Sequence, residues 1–213
     1  MKTLSRLGVA LAMAAGAALT FGSGVASAQS VNFQGSTDGC FGMNCAPASG
    51  PSVLGGLTYL DSTFDVTTVD GFIGIGGDPA AINVNNLGSF RVSGTPFGYG
   101  GNRFELTVNF TAPLGTSPAS AVFTSMLTGT VISTNNGGVF FDFDNTPRSF
   151  TYDSGATTGT FMFNVNDVSV TAGRTGAVSG NIVVSAIPEP ETYALLMAGL
   201  ATVGFMSRRR KKA

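Results

Sequence analysis

Strict alternation of apolar and polar residues is the feature that most limits what this chain can fold into. In Phe104-Glu105-Leu106-Thr107-Val108-Asn109-Phe110 the apolar side chains fall on one side of an extended chain and the polar ones on the other. Successive side chains leave a strand on opposite faces, so period two marks a half-buried β-strand. The same spacing recurs at Phe64 and Val66, Phe90 and Val92, Phe150 and Tyr152, and through Val178, Ile182 and Val184. Helical periodicity is missing between Val53 and Ala186.

Turn chemistry separates these runs. Gly76-Gly77-Asp78-Pro79, Gly94-Thr95-Pro96, Gly100-Gly101-Asn102, Asn135-Asn136-Gly137-Gly138 and Asp144-Asn145-Thr146-Pro147 combine residues that reach positive φ, fix φ, or hydrogen-bond their own backbone. Roughly eight to ten strands at hairpin spacing follow, which predicts an all-β fold: an antiparallel β-sandwich or jelly-roll-like domain. No repeat of fixed period emerges, which argues against a solenoid. In Thr160-Phe161-Met162-Phe163-Asn164-Val165-Asn166-Asp167-Val168-Ser169-Val170 the apolar set changes from odd to even positions. A strand changes faces only with an extra residue, so a β-bulge is expected near Asn166-Asp167. An outer-membrane barrel is the competing all-β architecture. It requires strands of about ten residues and an aromatic girdle, and has no use for an apolar C-terminal helix with a basic stop.

Charge sharpens the picture. Charged residues make up 11% of the 213, with no His and no Trp. Seven of the eleven bases lie at the two ends, at Lys2, Arg6 and the run Arg208, Arg209, Arg210, Lys211 and Lys212. Between residues 29 and 186 only Arg91, Arg103, Arg148 and Arg174 face ten acids, and lysine is absent. A nucleic-acid partner is disfavoured, because an acidic domain cannot neutralise a row of phosphates.

The first segment, residues 1–28, has a basic start, an apolar stretch from Leu7 to Phe21, and Ala26-Ser27-Ala28. Small residues before Gln29 suit a signal peptidase, so cleavage between Ala28 and Gln29 is expected and the chain is read as exported. Residues 29–52, rich in Gly, Ser and Pro, are expected to form a loosely packed arm, with residues 53–186 as the sandwich. Cys40 and Cys45 are the only cysteines. In an oxidising compartment they are expected to close a short disulfide loop of little stabilising effect, and two thiolates without a histidine do not complete a structural zinc site.

Residues 187–213 read differently. Tyr193 to Met206 is apolar, somewhat short of the ~20 residues of a comfortable span, and Arg208–Lys212 follow it. Bases beside a membrane segment stay cytoplasmic, so a membrane helix over 193–206 with the domain outside is expected. Pro188-Glu189-Pro190 precedes the helix, and two prolines hold such a strip extended, the form a processing enzyme needs. Triplet, short apolar helix and terminal base cluster, in that order, resemble the PEP-CTERM sorting signal of exopolysaccharide-producing Gram-negative bacteria. The resemblance covers residues 187–213. It implies recognition of Pro188, Glu189 and Pro190 by an exosortase, a membrane cysteine protease or transpeptidase. It also implies a base cluster that holds the helix in register, and a protein first anchored in the inner membrane and then placed at the cell surface or outside.

The sandwich carries little chemistry. Without histidine no Ser-His or Cys-His nucleophile exists, and no Gly-x-Ser-x-Gly elbow appears. Glu105 is the one Glu before the tail and sits on the polar face of its strand, with no carboxylate to pair it as a glycosidase would require. Asp142 and Asp144, with Asp153 or Asp167, offer oxygen ligands for calcium, but in an incomplete spacing better suited to turn formation. Phe72, Phe97 and Tyr99 lie in glycine-rich stretches and could stack on sugar rings. The expectation is therefore a non-enzymatic surface or matrix protein without cofactor or metal, possible contact with exopolysaccharide included. A secreted carbohydrate-binding module or glycan-active enzyme is the alternative.

Overall fold

The computed structural model describes residues 30–46, 50–76, 85–155, 157–185 and 196–203. Fifteen strands occur among them: β1 Asn32–Phe41, β2 Ser52–Leu54, β3 Leu57–Leu60, β4 Thr63–Thr67, β5 Phe72–Ile75, β6 Ser89–Val92, β7 Phe97–Gly98, β8 Arg103–Ala112, β9 Ser120–Ser133, β10 Asn136–Phe143, β11 Arg148–Asp153, β12 Thr158–Val165, β13 Val168–Thr171, β14 Thr175–Ala177 and β15 Gly180–Val184. The expected eight to ten undercount them, because strands of two to four residues such as β2, β5, β7 and β14 are too short to show a period.

One layer is a seven-stranded sheet in the order β13-β10-β9-β8-β1-β4, with β7 also paired to β9. Facing it lie two four-stranded sheets, β11-β12-β15-β5 and β14-β6-β3-β2. These two meet where the Leu87 N–H donates to the Val178 carbonyl and the Val178 N–H to that of Gly88, at 3.0 and 2.8 Å. All strand pairs are antiparallel, so the expectation of an all-β, antiparallel class holds.

Phenylalanines fill the space between the layers. Phe33 of β1 meets Phe161 of β12 edge-on at 4.7 Å, and Phe90 of β6 stacks on Phe141 of β10 at 3.7 Å. Each contact ties one small sheet to the large one, and each fully buried ring contributes roughly 2–3 kcal/mol by leaving water.

Two expectations are corrected. Residues 29–52 are not a loose arm, since β1 is an interior strand between β8 and β4. Its inward positions are Phe33, Gly35, Thr37 and Gly39. A Cβ on Gly35 would strike the Phe64 ring, and one on Gly39 would strike Phe104 and Tyr59. The residues that look like loop are small because aromatic rings lie over them.

Nor is there a bulge at Asn166-Asp167. β12 belongs to one layer and β13 to the other, so the apolar set changes parity because the chain crosses between facing sheets. Asn166 pins the corner: its Nδ2 donates to Ser179 Oγ (3.0 Å), while its Oδ1 accepts from Asn181 and Asn164 (3.1 and 3.2 Å). Asp167 Oδ1 accepts the Phe143 N–H at 2.9 Å. True irregularities of register fall instead at Gln34/Gly35 and Asn136/Gly137.

Candidate functional site

The sandwich ends in a fixed point. The Val184 N–H donates to the Gly71 carbonyl at 2.7 Å and the Ser185 N–H to that of Thr160 at 3.0 Å, so the chain is held by its neighbours up to the start of the tail. Residues 196–203 are helical, with Leu196, Met197, Leu200 and Val203 all exposed. This lies within the apolar stretch expected to be helical, and among the described residues no helix is long and apolar enough to cross a membrane. Pro188, Glu189 and Pro190, the bases Arg208, Arg209, Arg210, Lys211 and Lys212, and the cleavage pair Ala28 and Gln29 lie outside the described residues.

A family model described as the PEP-CTERM protein-sorting motif matches residues 186–211. The tail is a PEP-CTERM sorting motif. It begins one residue after Ser185, the last hydrogen-bonded position of the sandwich among the described residues. That motif supports sorting of the chain by exosortase and implies export to the surface or exterior of a Gram-negative cell. No curated protein and no solved structure matches the chain.

The other singled-out residues are placed as follows. Cys40 and Cys45 form the expected disulfide. Their loop is also held to β8, with Gly42 N–H donating to the Arg103 carbonyl and Asn44 N–H to Glu105 Oε1, both at 2.9 Å. Asn44 reaches that bond with φ of 51°, in the left-handed region. Glu105 therefore stands on the polar face as expected, as an acceptor for the disulfide loop. Its oxygen and the two sulfurs lie within 4.8 Å of one another, but sulfurs bonded to each other present no thiolate to a metal.

Of the four aspartates grouped for calcium, Asp144, Asp153 and Asp167 are engaged locally. Asp144 accepts the Thr146 N–H at 3.1 Å and faces Arg148 at 4.0 Å. The Thr146 hydrogen bonds, helped by Arg148, hold the Asp144 carboxyl below its ordinary range. Asp153 accepts the Gly155 N–H, and Asp167 is committed to the 166–167 corner. Asp142 and Asp144 line a shallow depression of about 260 Å³ together with Arg103, Thr124 and Met126. A cation entering there meets a guanidinium. Arg148 is itself occupied, its guanidinium 4.5 Å over the Phe123 ring at the edge of the core.

The aromatic platform does not form as read. Tyr99 is buried, its hydroxyl donating to the Gly55 carbonyl at 2.7 Å, and Phe97 is half-buried against it at 4.8 Å. Phe72 alone of the three is exposed.

Sequence reasoning missed the acid pair Asp38 and Asp61. Asp61 accepts the Gly39 N–H at 3.3 Å, and its carboxyl is pushed up by burial first and by Asp38 second. Beside it, Tyr59 OH donates to the Leu87 carbonyl at 2.8 Å and lies 3.1 Å from Thr37 Oγ1, while burial raises its phenol far above the usual value. No local pattern signals this knot, because its members come from different strands. A second polar groove, of about 440 Å³, runs past Gln34, Ser36, Asp65 and Asn85. There the Asp65 carboxylate accepts from Asn32 Nδ2 and Gln34 Nε2 at 2.7 and 3.1 Å.

Proposed function

We propose that the chain is an exported β-sandwich with no catalytic activity of its own, delivered to the cell surface or extracellular polysaccharide matrix by processing of its tail. In this reading a signal peptidase cuts between Ala28 and Gln29. The helix over 193–206 and the bases Arg208–Lys212 then hold the chain in the inner membrane, and exosortase recognises Pro188-Glu189-Pro190 and removes the helix. The observation that carries the reading is a sorting motif that starts immediately after Ser185. A cut anywhere in the triplet spares every hydrogen bond of the last strand, so the released product keeps its fold. A non-catalytic role is supported by the singled-out acids: Glu105, Asp144, Asp153 and Asp167 each hold a backbone N–H, where a general acid or base would need to face a substrate.

Intact mass of the protein from culture supernatant and from membranes of its host tests the reading. The expected secreted species begins at Gln29 and ends near Pro190. The double variant Pro188→Ala, Pro190→Ala is expected to shift the protein to a membrane-bound form that retains Ala213. If the unaltered chain occurs only in that retained form, the tail is a plain anchor and processing is rejected.

A further inference from the structure

The outer face of the β11-β12-β15-β5 sheet carries an apolar row that no described residue of the sandwich covers. Met162, Val183 and Phe72 are direct cross-strand neighbours on β12, β15 and β5, and Val69 bridges to Phe72. Their exposures are 37, 47, 52 and 70% respectively. None is charged, and Ser149, Thr160 and Asn181 beside the row are neutral too, while Asp70, exposed between Val69 and Phe72, puts a carboxylate at its end. The other outward positions of β11 and β12, such as Ser149, Thr151, Thr158 and Thr160, are polar, so the row departs from the pattern of its own sheet, although the seven-stranded sheet also turns Val122, Met126, Ile132 and Phe140 outward.

Its position decides what it meets. Val183 lies two residues before Ser185, which is hydrogen-bonded to Thr160, and ten residues, 186–195, separate Ser185 from the apolar helix 196–203. Ten residues reach at most about 35 Å, so an anchored helix keeps the row close to the lipid surface. A tether supplies a high effective concentration, which lets a small patch dock that would not bind lipid alone. We propose that, before tail processing, the Met162-Val183-Phe72-Val69 row rests on the membrane interface. The inference rests on the membrane-anchored reading of the tail.

Both cysteines are paired, so a single introduced thiol can be labelled selectively. The full chain is reconstituted in phosphatidylcholine vesicles containing a spin-labelled lipid, with an environment-sensitive fluorophore at Thr160→Cys, beside the row. Thr128→Cys, exposed on the outer face of the seven-stranded sheet, and Leu200→Cys, in the tail helix, serve as references. Docking predicts lipid quenching at position 160 on the order of threefold above that at 128, falling to the level of 128 when Val183→Asp is added. Equal quenching at 160 and 128 overturns the proposal, and so does quenching that Val183→Asp leaves intact, since the tether alone then explains it. A blue shift at 160 without lipid quenching also overturns it, because protein, either the chain's own helix or a second copy, then covers the row. Absence of quenching at position 200 rejects the anchor itself, and the docking with it.

Discussion

Gly39 shows how single residues set this core. Its missing side chain leaves room for the rings of Phe104 and Tyr59, and those rings meet each other at 4.9 Å. Gly39→Ala is expected to lower stability by about 1–3 kcal/mol through overpacking, read as a lower urea midpoint. Ser125 works in the opposite direction. The residue is 2% exposed and its hydroxyl has no hydrogen-bond partner among the described residues, so Ser125→Ala is expected to raise stability by about 1 kcal/mol in the same titration. Asp61 gives a pH dependence. Its folded carboxyl titrates above the ordinary value, so the folded chain binds this proton more tightly than the unfolded one. Its contribution therefore declines as pH rises from the ordinary carboxylate value through the raised one. Asp61→Asn keeps an acceptor for the Gly39 N–H and is expected to remove that decline, which urea midpoints between about pH 3 and 7 will show. None of these three roles is visible in local sequence, because the atoms that define them arrive from distant strands.

At the scale of elements, the corner at Asn166-Asp167 and the disulfide loop are the informative cases. Asn166 bonds Ser179, Asn164 and Asn181 by its side chain alone, so Asn166→Ala is expected to cost about 1–2 kcal/mol in the same urea titration. The Cys40–Cys45 link closes so short a loop that its chain-entropy contribution is only about 2 kcal/mol. Glu105 and the Arg103 carbonyl hold the loop besides, so a reduced sample is expected to keep its β circular dichroism at room temperature and to melt a few degrees lower. Alternation was legible wherever a strand ran long enough to repeat: the inward residues of β8, β11 and β12 are those read from the pattern. Its meaning at residues 166–167 was not legible, since a bulge within a sheet and a crossing between facing sheets produce the same change of parity.

For the whole molecule, the sandwich and the tail are expected to be separable. Among the described residues the last bond to the sheet is made by Ser185, and the helix 196–203 exposes its apolar residues. A chain ended after Ala186 is expected to melt within about 2 °C of the full chain in detergent, as a shift well below 1 kcal/mol would give. A larger drop would mean that the tail packs on the domain. The sequence by itself determined the all-β class and the disulfide partners, each from a local signal: period two, and two cysteines with no other choice. It also determined the sorting motif, because an enzyme reads that motif as a linear string. Only the tertiary structure decided that residues 32–41 form an interior strand, that Tyr99 is buried, and that Met162, Val183 and Phe72 line up beside the chain's exit. Those facts depend on which strands become neighbours, and pairing across long stretches of chain is set by the joint packing of rings in the core, a property no short window of residues contains.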